Sequence, residues 1–171
     1  MITFTTGQVV TAAQMNATNR DLGNFLLARP LAIMRQTVAG SIANSTWTAI
    51  ACDTEDIDRD NGHSTVTNTS RYTSQTAGYY RGSGKISFAS NANNRRWTRW
   101  DVNAAEITAT RLSMQAANGD ASELAMASRL IFLNVGDFLE AKGFQDTVGA
   151  LNTVVTTTGD QPYFEILWES S

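Results

Sequence analysis

The chain has 171 residues, 42% of them apolar, and carries a formal charge of −3. That length supports one domain with room for a short appendage, and that apolar share builds a core without covalent staples. One cysteine excludes an internal disulfide and a multi-cysteine zinc cage; the acidic balance, with eleven Arg and only Lys85 and Lys142 on the basic side, argues against a nucleic-acid binder.

The N-terminal residues Met1 to Thr6 lack the basic start and apolar stretch of a secretory signal. No run approaches the ~20 apolar residues that span a bilayer, so no membrane insertion is expected. Thr11-Ala12-Ala13-Gln14 is a capping box, in which the Thr hydroxyl accepts from the first turn and Gln14 reaches back. Ala12, Met15, Leu22 and Leu26 then fall on one stripe of a helix of about four turns. Pro30 cannot continue it, so the helix is expected to end near Ala28. An amphipathic helix must lay its stripe on something. Two covers stay open: the domain that follows, or a neighbouring subunit or larger particle.

Beyond Arg35 the helical period fades and strand alternation replaces it. Trp47–Cys52, Tyr80–Phe88 and Arg95–Trp100 alternate, and turn residues lie between them at Asn44-Ser45, Asn61-Gly62, Asn91–Asn94, Asn118-Gly119-Asp120, Gly136-Asp137 and Gly159–Pro162. Asp53–His63 reads as an acidic turn between strands, balanced in part by Arg59 and Arg71, with a further strand opening at Tyr79-Tyr80. Ala121–Leu133 suits a helix by composition, but lies between turns and is read as a strand with Leu124, Met126, Ser128, Leu130 and Phe132 on one face. In Tyr163–Trp168, Phe164, Ile166 and Trp168 share one face, while Tyr163, Glu165 and Leu167 share the other. A strand apolar on both faces must be covered twice. The expected fold is all-β, a sandwich or barrel of antiparallel strands with a short N-terminal helix; residues 1–34 form an N-terminal helical segment and 35–171 the strand domain.

Phe4–Asn16, continuing to Asn24–Pro30, resembles the N-terminal segment of minor tail and other small virion proteins of phages that infect actinobacteria. The remainder resembles the trimeric jelly roll of the tumour necrosis factor and complement-head kind, through Trp47 with Asp53-Thr54-Glu55, Ala77–Phe88, Leu133–Glu140 and Tyr163–Trp168. The resemblance implies an antiparallel β-sandwich of jelly-roll type over 35–171, with 1–34 as its attachment segment, in a non-enzymatic homotrimer on a virion, assembled in the host cytoplasm. Its place would be a tail or baseplate position with host-surface adhesion, or alternatively capsid decoration or a head fibre. Attachment to other virion proteins would fall to Met15, Leu22, Phe25 and Leu26, and the trimer interface to Tyr163, Leu167 and Tyr79.

Several constellations suggest chemistry. Asp56-x-Asp58-x-Asp60 with Gly62 matches the opening of a calcium loop, because hard cations need several carboxylate oxygens. The glycine is one residue late, however, and Thr67 stands where a bidentate Glu belongs, so no metal or other cofactor is expected. A glycosidase pair in the same cluster lacks the groove that a polysaccharide needs. Cys52 and His63 form a conceivable nucleophile–base pair, but Cys52 alternates with Ile50 on a buried face, where thiols are inert. In Arg95–Trp100, Arg95, Trp97 and Arg99 share one face, an arrangement that can stack on a glycan, while Arg96, Thr98 and Trp100 share the other.

Overall fold

A computed structural model describes residues 6–116, 120–156 and 159–171, without the side chains of Asp21, Asn24 and Leu26. Helix α1 spans Ala12–Leu27. Its capping box forms as read: Thr11 Oγ1 accepts the Gln14 N–H at 3.2 Å, and Gln14 Oε1 accepts the Thr11 N–H at 3.0 Å. Pro30 then turns the chain into the first strand.

Fourteen strands follow among the described residues: β1 (Leu31–Arg35), β2 (Ser41–Ile42), β3 (Thr48–Ala49), β4 (Thr54–Asp58), β5 (Arg71–Thr73), β6 (Gly78–Phe88) and β7 (Arg95–Val102). After these come β8 (Ala105–Glu106), β9 (Leu112–Gln115), β10 (Ser122–Ala125), β11 (Arg129–Leu133), β12 (Phe138–Gln145), β13 (Leu151–Asn152) and β14 (Tyr163–Ser170). One six-stranded sheet runs β10-β6-β14-β1-β4, with β11 also on β6; a second runs β3-β12-β7-β8, with β5 on β12 and β9 on β7; β13 and β2 pair in a small sheet of two. All of their ladders are antiparallel. This is the expected sandwich. It begins at Leu31, four residues before the boundary drawn from the sequence, because β1 is held between β14 and β4.

The core lies between the sheets. Met34, Tyr80, Ile86, Phe88, Phe164 and Ile166 meet Tyr72, Trp100, Leu139 and Ala141, all buried. Each large side chain contributes about 1.5–3 kcal/mol on leaving water, most of which chain entropy offsets. Trp100 ties the layers together: its ring meets Phe164 edge-on at 5.9 Å and its Nε1 donates to the Ala127 carbonyl at 2.8 Å.

Three expectations need correction. Ala121–Leu133 is two strands rather than one, since Thr98 and Trp100 capture the carbonyls of Ala125 and Ala127 and interrupt the ladder on β6. The phase flips there, so Met126 is buried but Ile131 and Leu133, not Leu130 and Phe132, face the core. Opposite the break, Gly84 adopts φ +150, and a Cβ there would collide with the Tyr163 carbonyl. Secondly, the acidic stretch is not all turn: Thr54–Asp58 is strand β4, the chain bends at Arg59-Asp60, and Asn61 follows with φ 53. Thirdly, within Trp47–Cys52 only Thr48–Ala49 joins a ladder, although Ile50 and Cys52 are buried as read. The turn at Asn118-Gly119 lies outside the described residues.

Candidate functional site

The two outer faces of the sandwich carry different chemistry. On the β6-β14-β1 sheet, Tyr79 lies opposite Phe132, Arg81 opposite Leu130 and Leu167, and Leu167 opposite Leu31. Tyr163 sits between Lys85 and Arg35, and Ile33 between Glu165 and Ile57. These side chains point away from the core: Tyr79 is 44%, Phe132 49%, Leu130 47% and Tyr163 40% exposed, and Leu167 is half-buried. The Tyr79 and Phe132 rings meet edge-on at 5.2 Å. Charged pairs flank them, with Arg81 on Glu169 (2.7 Å), Lys85 on Glu123 (2.6 Å) and Arg35 on Asp56 (2.9 Å). The three residues expected at a subunit contact, Tyr163, Leu167 and Tyr79, thus share one surface, and Phe132 and Leu130 join them.

The β12-β7 sheet carries an ionic lattice on its outer face. Asp101, with a fully buried carboxylate, lies 2.7 Å from Arg99 and 3.2 Å from Lys142; Lys142 also reaches Glu140, which in turn meets Arg71 at 3.1 Å. Glu106 joins Arg99 at 2.9 Å and Arg111 at 2.5 Å, and the Arg111 hydrogen bond above all holds its carboxyl below the usual carboxylate range. Next to this lattice, Phe144 lies opposite Trp97 on β7, with rings edge-on at 4.9 Å, and Trp47 tilts against Phe144 at 5.2 Å. Arg99 stacks on Trp47 at 4.2 Å. Ser45, Trp47, Trp97, Arg111, Phe144 and Asp146 line an open cavity of about 390 Å³.

The face assignment for Arg95, Trp97 and Arg99 is therefore the one in the structure, but the roles differ. Arg99 is committed to Asp101 and Glu106 and covers Trp47 rather than Trp97. Arg95 is exposed, and its backbone N–H donates to Asp146 Oδ1 at 2.8 Å. Sequence reasoning missed Trp47 and Phe144, whose nearness to Trp97 needs the β7–β12 register. It also missed Arg96, fully buried, whose guanidinium donates to the carbonyls of Asn91, Asn93 and Arg95 and whose pKa burial lowers. Alternation places Arg96 on the inner face, so the signal for its burial was present.

The acidic segment spends its carboxylates locally. Asp56 pairs with Arg35; Asp58 accepts the N–H groups of Gly62 and His63; Asp60 accepts the Tyr72 hydroxyl at 2.7 Å. Arg71 turns to Glu140 instead of balancing this segment. Among the described residues no three His, Cys, Asp or Glu side chains converge on a metal-sized site, and Asp56, Asp58 and Asp60 diverge to separate partners. Burial, more than the neighbouring Asp58 charge, raises the Asp60 pKa. His63 sits with Nδ1 2.8 Å from Glu55 and Nε2 3.0 Å from the Thr69 carbonyl; a carbonyl only accepts, so Nε2 carries hydrogen. Cys52 is buried and its thiol is pushed up to about 12, which leaves no thiolate for a dyad.

Helix α1 divides between the two covers considered for it. Phe25 packs edge-on against Trp168 at 4.9 Å, whereas Met15 is 48% and Leu22 58% exposed. The Leu26 side chain lies outside the described residues. No described helix is long and apolar enough to cross a membrane.

No protein-family model and no curated protein sequence matches the chain. Solved structures do. The chain is similar to Eiger TNF from S. frugiperda (TM-score 0.61, 11% identity, 84% of this chain and 95% of that one). It is similar also to murine APRIL at pH 8.0 (TM-score 0.61, 11% identity, 82% of this chain and 98% of that one). The fold is thus a TNF-like jelly roll, all-β with one short helix.

Proposed function

We propose that the chain is a non-enzymatic, homotrimeric jelly-roll module of a phage particle, anchored through its N-terminal segment and placed at the tail or baseplate, where it adheres to the host surface. The observation that carries this reading is the outer face of β11, β6 and β14, where Tyr79, Leu130, Phe132, Tyr163 and Leu167 share one solvent-facing surface, interspersed with the paired charges of Arg81, Lys85 and Arg35. Apolar side chains gathered on one exposed face suit a contact site, and an obligate contact buries on the order of 2,000 Å² or more. The TNF-like fold supports three copies as the arrangement that covers it. The virion reading draws on the N-terminal resemblance, and exposed Met15 and Leu22 give that segment an apolar edge to dock with. The acidic segment and Cys52 give turnover no support, since Asp58 and Asp60 accept from groups of the chain and the Cys52 thiol is buried.

Light scattering of the purified chain should return three times 18.6 kDa. A monomer at micromolar concentration overturns the trimer. Removing residues 1–24 leaves Phe25 on Trp168 and should give a folded trimer that no longer enters particles. Labelling the chain on intact particles separates a tail position from capsid decoration.

A further inference from the structure

We propose that the cavity walled by Trp47, Trp97 and Phe144 binds one neutral hexopyranose ring, such as the terminal sugar of a surface glycan. The proposal deepens the adhesion reading above and rests on it for its biological setting, though the chemistry stands in the isolated chain. Three aromatic rings gather across β7, β12 and the segment leading into β3, each half-buried and so half-available. Arg99, stacked on Trp47, fixes that ring's plane. A pyranose presents C–H groups on one face that pack against aromatic rings, while its rim of hydroxyls needs donors and acceptors close by.

The rim here supplies both. Asp146 commits Oδ1 to the Arg95 N–H at 2.8 Å, and its Oδ2 has no hydrogen-bond partner among the described residues. Ser45 offers a hydroxyl that donates or accepts, and Arg111, 55% exposed in its side chain, offers N–H donors. A carboxylate and a guanidinium lining the same aromatic cavity suit a pair of adjacent hydroxyls. At about 390 Å³ the cavity has the size of a small-ligand site.

Charge selects the class of sugar. Arg99 and Arg111, the cations beside Trp47, are already matched by Asp101 and Glu106, and Asp146 adds a negative charge to the wall. Among the lining residues an acidic sugar would meet one cation, Arg111, already paired with Glu106, and the carboxylate of Asp146, whose charge also acts on the buried Arg96. A neutral ring meets neither obstacle.

The test uses the full chain in saturation-transfer NMR and tryptophan fluorescence. The probes are the methyl glycosides of glucose, galactose, mannose and N-acetylglucosamine, with methyl glucuronide as the acidic arm. At least one neutral glycoside should bind with a dissociation constant on the order of 1 mM, with transfer concentrated on the ring protons of one face. Trp97→Ala and Asp146→Asn should each weaken binding about tenfold, Asp146→Asn with an unchanged thermal midpoint, and Trp97→Phe should restore most of the binding lost in Trp97→Ala. Asp146→Asn keeps the acceptor for the Arg95 N–H, so it remains informative if Trp97→Ala folds poorly. Three results overturn the proposal: no neutral glycoside binding, preference for the glucuronide, or binding that ignores both substitutions. Sugar binding by a chain that proves monomeric would sink the trimer and leave this site standing; a trimer blind to all five probes would do the reverse.

Discussion

The two outer faces of this sandwich come from the same alternation of side chains and end in opposite states. On the β12-β7 sheet the charges answer one another within the chain: Asp101, Arg99, Lys142, Glu140, Glu106 and Arg111 form one connected lattice. On the β6-β14-β1 sheet the charges pair among the apolar groups, Arg81 between Leu130 and Leu167, and leave Tyr79, Leu130, Phe132 and Tyr163 to solvent. The first face is complete in one subunit. The second pairs its charges too, but leaves apolar rings and side chains in solvent, which under the proposed trimer a neighbouring copy covers. Strand register alone does not decide whether a face serves folding or association; what differs here is whether apolar side chains stand exposed among the paired charges.

The largest effect should come from breaking the lattice. Asp101 has a fully buried carboxylate between two cations, and removing one member of a buried pair strands the others. Asp101→Asn should cost about 3 kcal/mol in urea unfolding, because Arg99 and Lys142 lose their shared anion. The loss should be the same for assembled and dissociated protein. A cost that vanishes in monomers would place this face in the interface and invert the comparison.

The exposed face is probed by the opposite sort of change. Tyr163→Asp puts a carboxylate between Lys85 and Arg35, so a lone subunit tolerates it. A subunit contact does not, since taking even a paired carboxylate out of water costs on the order of several kcal/mol and the ring that filled the contact is lost. Sedimentation should show the mass falling from three chains to one while the strand signature in circular dichroism persists. If the trimer survives, the contact lies elsewhere on the molecule.

A smaller effect belongs to the helix. Phe25→Ala removes an edge-on contact with Trp168 and should lower stability by about 1–2 kcal/mol. Thr11→Ala, which deletes the cap, should loosen the helix without moving the midpoint of the sandwich. A joint shift of helix and sandwich in Thr11→Ala would mean that the helix belongs to the core throughout its length.

Much of this was legible beforehand, for physical reasons that differ by segment. Tyr163–Trp168 declared both its faces because the strand period is two and its apolar residues sit at both phases. Thr11 and Gln14 declared the helix start because capping is local. The break inside Ala121–Leu133 was not legible. It depends on Thr98 and Trp100, about 27 positions away, seizing two carbonyls. The aromatic cavity was half legible: Trp97 and its face could be read, but Phe144 and Trp47 arrive through inter-strand register. The acidic segment misled because charge density suggests a solvated turn, whereas each carboxylate had a specific local partner in a strand or its adjoining bend.

Asp60 supplies the subtlest separation between burial and exposure in this fold. Its carboxyl is raised above the ordinary 3.8, first by burial, against the Tyr72 hydroxyl that favours the charged form. A carboxyl whose folded value exceeds its unfolded one costs stability when ionised. That cost is fully present at neutral pH, shrinks as pH falls through the raised value, and is gone below the unfolded value. Asp60→Asn keeps an acceptor for Tyr72 and removes the titration. The native chain should therefore gain stability relative to the variant between pH 7 and about 4, whatever fixed offset the buried amide introduces. Thermal midpoints of the two proteins across that range measure the slope directly, and parallel profiles would show that Asp60 is solvated after all and that the Tyr72 contact is a surface one.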